Sequence, residues 1–165
     1  FSEDLDVYLP HNAKRANARN FLSNLKRKGF TVDKWKTTGN SIYGKFSSLG
    51  VSVRYEALFK NIRDFTVKHF EMSDGTFIIV NTLSPEQMIE EKVLAYLARK
   101  KVRDLYDVFF LLRFVENVTE VKDYLDRLME RFQRPEDERA LKTLIISGSI
   151  PTVENMLKGM RKWAK

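Results

Sequence analysis

The sequence predicts an α+β fold: a mixed, mostly antiparallel sheet followed by a C-terminal helical bundle. Two observations carry that expectation. Up to about position 83, apolar and polar residues alternate in short runs separated by turn-forming pairs, the period of half-buried strands. From Ser84 onward the apolar spacing becomes helical. It opens on Ser84-Pro85-Glu86-Gln87, an N-cap serine, a proline at the first helical position and a capping-box glutamine. The expected domains are therefore a sheet domain over residues 1–83 and a helical domain over 84–165.

Composition narrows the chemistry. A chain of 165 residues suits one domain with or without a helical extension, and 43% hydrophobic residues with twelve Phe, six Tyr and two Trp can fill a core. There is no cysteine, which excludes disulfides, thiolate catalysis and Cys-based zinc sites. The two histidines, His11 and His69, are far apart and offer little to a Ser-His-Asp triad or a His-rich metal site. Any metal would be a hard cation held by carboxylates. No apolar run approaches the ~18 residues of a membrane span, and no signal peptide is visible, so no membrane partner and a cytoplasmic setting are expected. A net charge of +7 favours polyanionic partners such as nucleic acid or nucleotides. The sequence starts inside a strand-like pattern without an initiator Met and reads as a fragment.

Taken in order, Leu5, Val7 and Leu9 alternate with Asp4, Asp6 and Tyr8 as a strand ended by Pro10. Residues 11–28 form an amphipathic helix with Ala13, Ala16, Phe21, Leu22 and Leu25 on one side, stopped by Gly29. Strands follow at 30–35, 42–47 and 51–58, and then at 65–72 and 77–80 around an Asp74-Gly75 hairpin turn. Five helices are expected after Ser84: to about residue 100, then 102–115, 119–132, 135–146 and 151–164.

Several charged residues stand where a structural role alone does not require them. Asp4 and Asp6 share one strand face, about 7 Å apart at Cα, with Leu5 between them pointing into the core. Like charges so close repel, and a divalent cation relieves the repulsion; an exposed solvated pair is the ordinary alternative. Glu56 occupies the polar face of its strand with Ser52 and Arg54. It completes a carboxylate trio if that strand lies beside the first, or else forms a surface pair with Arg54. Lys92 projects from an apolar stripe with Met88, Ile89 and Tyr96, either snorkelling outward or entering a cleft. Arg103 and Asp107 have the spacing of an ordinary helical ion pair, and Asp104 that of a helix N-terminal acid. Arg99, Lys100, Lys101 and Arg103 make a basic cluster where two helices meet.

The run Phe1-Ser2-Glu3-Asp4-Leu5-Asp6, then Glu91-Lys92-Val93-Leu94-Ala95-Tyr96-Leu97-Ala98-Arg99, then Arg103-Asp104-Leu105-Tyr106-Asp107 resembles the AbiEii/AbiGii-type nucleotidyltransferase toxin family, within the DNA polymerase β-like nucleotidyltransferase superfamily. The likeness covers roughly residues 1–115. It implies a palm-like sheet and Mg²⁺-dependent transfer of a nucleotidyl group from an NTP to an acceptor, either RNA (tRNA 3′ ends among them) or protein. It also implies a toxin–antitoxin setting with a winged-helix antitoxin partner. The resemblance makes Asp4, Asp6, Lys92, Asp104 and Asp107 the catalytic set. The family carries a Gly-Gly-Ser/Thr-like phosphate-binding turn before this strand; this sequence starts after that point and is expected to lack the turn.

The expected mechanism is two-metal transfer. Asp4, Asp6 and Glu56 hold Mg²⁺, with Glu56 also placed to assist the acceptor hydroxyl. Lys92, Arg99 and Arg103 meet phosphate, and Asp104 or Asp107 orients Lys92 or Arg103. The competing expectation is a non-catalytic nucleic-acid or protein-binding module on the same scaffold. The +7 charge and the basic stretches at 14–28 and 158–165 motivate it.

Overall fold

The computed structural model describes residues 4–13, 16–62 and 64–164. Phe1, Ser2, Glu3, Lys14, Arg15, Arg63 and Lys165, which include the start of the family-like motif and parts of both basic stretches, lie outside the described residues. The fold is α+β, as expected, and divides into two compact units, Phe1–Asp64 and Phe65–Lys165.

The first unit is built on β1 (Asp4–Leu9), α1 (Ala16–Arg27), β2 (Thr31–Thr37), β3 (Ser41–Ser48) and β4 (Val51–Phe59). These strands form one sheet in the order β1-β4-β3-β2. The β2–β3 and β3–β4 pairs are antiparallel, whereas β1 and β4 run parallel. One sheet face is the core: Ile42, Phe46, Tyr55, Ala57 and Phe59 are buried, with Phe21, Leu22 and Leu25 of α1 packed on them. Rings of Phe21, Trp35, Phe46 and Tyr55 lie 5.2–6.2 Å apart between centroids. Gly44 is required beneath them, because a Cβ there would stand 2.7 Å from the Phe46 ring. Leu5 is the exception to the alternation: it is 51% exposed, and the core side of β1 begins at Val7.

The β3–β4 turn puts Leu49 and Gly50 at φ 50° and 79°, the two positive φ values of a type I′ turn, whose twist matches the strands it joins. Leu49 is fully exposed and takes this left-handed conformation without a glycine's freedom.

The second unit opens with a hairpin of β5 (Thr66–Glu71) and β6 (Phe77–Thr82), turned at Asp74-Gly75 as the sequence suggests. The Asp74 carboxylate accepts from the Thr76 amide and hydroxyl. These strands pair only with each other and join no larger sheet among the described residues. The hairpin, grouped by sequence with the sheet domain, therefore falls on the other side of the division at Asp64. The helices are α2 (Pro85–Arg99), α3 (Val102–Leu111), α4 (Val118–Glu130), α5 (Leu141–Leu144) and α6 (Val153–Met160).

The capping box at Ser84 forms: its amide donates to Gln87 Oε1 at 2.9 Å and its hydroxyl accepts from the Gln87 amide at 3.2 Å. The helix expected over 135–146 shrinks to a 3₁₀ turn, Glu138–Ala140, and the single-turn α5. Its first residues are held by tertiary contacts instead. Asp137 caps α3 by accepting from the Val102 amide at 2.9 Å, while Arg134 bonds Glu138 and pairs with Glu154.

Two contacts set α2 and α4 parallel. Near their starts, Glu86 accepts from the Glu116 and Asn117 amides, and near their ends Tyr96 donates to the Gln133 carbonyl at 2.6 Å. Ile89, Val93, Tyr96, Leu105, Leu125 and Met156 fill the core between the helices.

Burial alone would raise the Glu86 pKa, but hydrogen bonds from its own amide, from Glu116 and Asn117 and from Ser84 outweigh it and hold the carboxyl below 4.5. A lowered pKa gives stability that is complete above pH 4.5 and lost as the pH falls through the folded-state value. Glu86→Gln should therefore cost about 1–3 kcal/mol at neutral pH. The gap to wild type should narrow in urea titrations as the pH is taken below 4.5.

Candidate functional site

The expected site residues fall into two groups, one in each unit. In the sheet unit, strand alternation sends Asp4 and Asp6 of β1 and Arg54 and Glu56 of β4 to the exposed face, opposite α1. The parallel register then decides which neighbours meet. Asp4 is the Cα partner of Arg54 and Asp6 that of Glu56. Asp6 and Glu56 are thus like charges on adjacent strands about 4.8 Å apart. Neither makes an ion pair or side-chain hydrogen bond among the described residues.

Asp4 is differently placed. Arg54 donates to both of its oxygens, Nε–Oδ1 at 2.5 Å and Nη2–Oδ2 at 2.7 Å. The alternative for Glu56, a surface pair with Arg54 within its own strand, does not form: residues two apart on one strand lie farther from each other than lateral neighbours, so Asp4 captures the guanidinium. The three carboxylates do not close into one cluster, and no group of three or more His, Asp or Glu among the described residues is arranged to hold a metal. Asp6 and Glu56 still fit Mg²⁺. Both are exposed hard oxygen donors side by side, and Mg²⁺ is commonly held by one or two carboxylates plus water and phosphate.

In the helical unit the structure sorts the partners of the residues that the sequence singles out. Lys92 Nζ lies 2.5 Å from Asp107 Oδ2, with both side chains more than a third exposed. Asp107 therefore pairs across two helices with Lys92 and not along α3 with Arg103. Arg103 is exposed and makes no ion pair among the described residues. Asp104 is fully buried, and Arg99 donates to both its oxygens at 2.6 and 2.7 Å. That hydrogen bond, offset in part by desolvation, raises the Arg99 pKa above its usual value. Asp104, expected among the catalytic acids, is thus a buried anchor for Arg99 and offers no oxygen to solvent.

An open groove of ≈ 560 Å³ lies nearby in the same unit, floored by Leu94, Leu97 and Ala98 and flanked by Lys100, Arg127 and Arg131. No helix among the described residues is long and apolar enough to cross a membrane.

A family model described as "Nucleotidyl transferase AbiEii toxin, Type IV TA system" matches residues 1–163, well beyond the stretch over which the sequence motifs show the resemblance. No curated protein matches the chain.

The Arg99–Asp104 and Lys92–Asp107 ion pairs should separate on mutation. Arg99→Ala leaves a buried carboxylate uncompensated and should destabilise the fold by about 3 kcal/mol. Lys92→Ala removes a half-exposed pair and should cost less than ~1 kcal/mol. Urea unfolding of the two variants checks this, and equal losses would contradict the assignment.

Proposed function

Since the chain belongs to the AbiEii nucleotidyltransferase toxin family, we propose that it moves a nucleotidyl group from an NTP to a hydroxyl of an RNA acceptor. The observation that carries the reading is the Asp6–Glu56 pair. The β1–β4 register sets two carboxylates, which have no ion-pair partner among the described residues, side by side on the exposed sheet face. On this reading, acceptor and α-phosphate meet at that face. Asp6 and Glu56 would hold Mg²⁺, which when bound supplies positive charge against the phosphate oxygens.

The remaining work falls to the side chains. The acceptor oxygen attacks the α-phosphorus, the bond from that phosphorus to the bridging oxygen breaks, and pyrophosphate leaves. Glu56 receives the proton released from the acceptor hydroxyl. Asp4, tied to Arg54, braces the start of β1 so that Asp6 keeps its place. In the helical unit, Lys92 is the cation assigned to phosphate, with Asp107 fixing its ammonium, and Arg103 is a second exposed cation open to the same role. A type IV toxin–antitoxin family implies an antitoxin counterpart; we assign it to a winged-helix protein acting with this chain in the cytoplasm.

Asp6→Asn and Glu56→Gln should each lower nucleotidyl transfer by ~10²–10⁴-fold. As both residues are exposed, stability should stay within about 0.5 kcal/mol of wild type. Single-turnover assays with labelled NTP, Mg²⁺ and RNA test the pair, and wild-type rates in either folded variant would remove that residue from the site.

A further inference from the structure

The exposed sheet face carries a second group of like charges beside the carboxylates. The register runs across all four strands in rows of Cα partners: Asp6–Glu56–Tyr43–Lys36 in one, Asp4–Arg54–Lys45–Lys34 in the next. Lys34, Lys36 and Lys45 are all exposed, and none makes an ion pair among the described residues. Lys34 and Lys45 face each other directly across the β2–β3 ladder, and the Lys34 ammonium sits 5.1 Å from the centre of the Tyr43 ring.

Like charges directly opposite one another destabilise a sheet. This face holds two such pairs, Asp6 with Glu56 and Lys34 with Lys45, in adjacent rows. The Arg54 guanidinium beside them is bonded to both oxygens of Asp4. The remaining carboxylate on β2, Asp33, sits at the bulge and accepts from the Ser47 hydroxyl at 3.0 Å. Positive and negative side chains are thus sorted to opposite halves of one face instead of being interleaved to cancel. A sheet that bears both repulsions has a cation to gain on one half and an anion on the other.

We propose that Lys34, Lys36 and Lys45 form the binding track for the phosphate backbone of the acceptor RNA, leading its reacting hydroxyl toward Glu56. This rests on the reading of Asp6 and Glu56 as the catalytic pair. The phosphates of a nucleic-acid strand and of an NTP share the same chemistry. Three cations spread over two strands, beginning one strand beyond Glu56, match an extended polyanion better than a compact triphosphate.

The test is direct binding of a fluorescent single-stranded RNA with a free 3′ hydroxyl to the full chain, without NTP, over a salt series. Wild type should bind with steep salt dependence. K36Q/K45Q should bind ~10-fold or more weakly, with the log–log salt slope shallower by about 0.7 for each lysine removed, while K36R/K45R keeps both. Labelled NTP binding should be unchanged in both variants. R127E/R131E, which alters the cationic groove of the helical unit, should leave RNA affinity within about twofold, since its phosphate contacts would lie elsewhere.

The proposal is overturned if wild type does not bind RNA or if K36Q/K45Q binds like wild type. It also falls if RNA affinity is lost only in R127E/R131E, or if K36Q/K45Q loses NTP binding as strongly as RNA binding. Binding needs no turnover, so a failure of the transfer chemistry leaves this result readable. Conversely, loss of transfer in the Asp6 and Glu56 variants with RNA binding untouched in K36Q/K45Q removes this proposal alone.

Discussion

The parallel pairing of β1 with β4 is the constraint from which the character of the sheet unit follows. Side chains alternate along a strand, so a slip of one residue would turn Asp4 and Asp6 into the aromatic core and push Val7 and Leu9 out to water. The register is held at both ends. At the start of β1, Arg54 grips Asp4 through two bonds, and beyond its end the Lys60 amide donates to the Leu9 carbonyl at 2.9 Å. Between them, Val7 and Leu9 join the core that α1 covers. With that register fixed, Asp6 has no choice but to stand beside Glu56. The two carboxylates repel, and a bound cation would turn that repulsion into affinity.

The helical unit applies the same logic with a different division of labour. Two acids three residues apart on α3 meet two cations seven residues apart on α2, giving Asp107–Lys92 and Asp104–Arg99. One pair is half-exposed and the other has its carboxylate entirely out of water. The buried pair gains most of its strength from two well-aligned bonds to a delocalised guanidinium, a geometry suited to holding the helices together. The exposed pair keeps an ammonium oriented while leaving it within reach of solvent. Caps from distant segments complete the framework: Asp137 on α3 and Glu86 on the amides before α4.

Much of this was legible in the sequence because it is local. Alternation in residues 4–9 and 51–58, the Asp74-Gly75 turn and the capping box at Ser84 each involve residues a few positions apart, and each forms. What the sequence left open is what only three-dimensional neighbours decide. The spacing of Arg103 and Asp107 suits a helical ion pair, yet α3 packs against α2 so that Lys92 reaches Asp107 first. Arg54 prefers a lateral neighbour on β1 to Glu56 on its own strand. Within the helix expected over 135–146, Asp137 is instead drawn to cap α3. Lys34, Lys36 and Lys45 showed nothing unusual in sequence, since their grouping depends on how β2 and β3 register.

Transfer of a nucleotidyl group leaves a distinct signature in the fate of the phosphates. The full chain is incubated with Mg²⁺, RNA and an NTP labelled either at the α- or at the γ-phosphate. The α-label should become covalently attached to RNA while γ-label is released as pyrophosphate, one for each nucleotide transferred. Attachment of γ-label to RNA, or release of label from folded protein with none reaching an acceptor, would contradict nucleotidyl transfer.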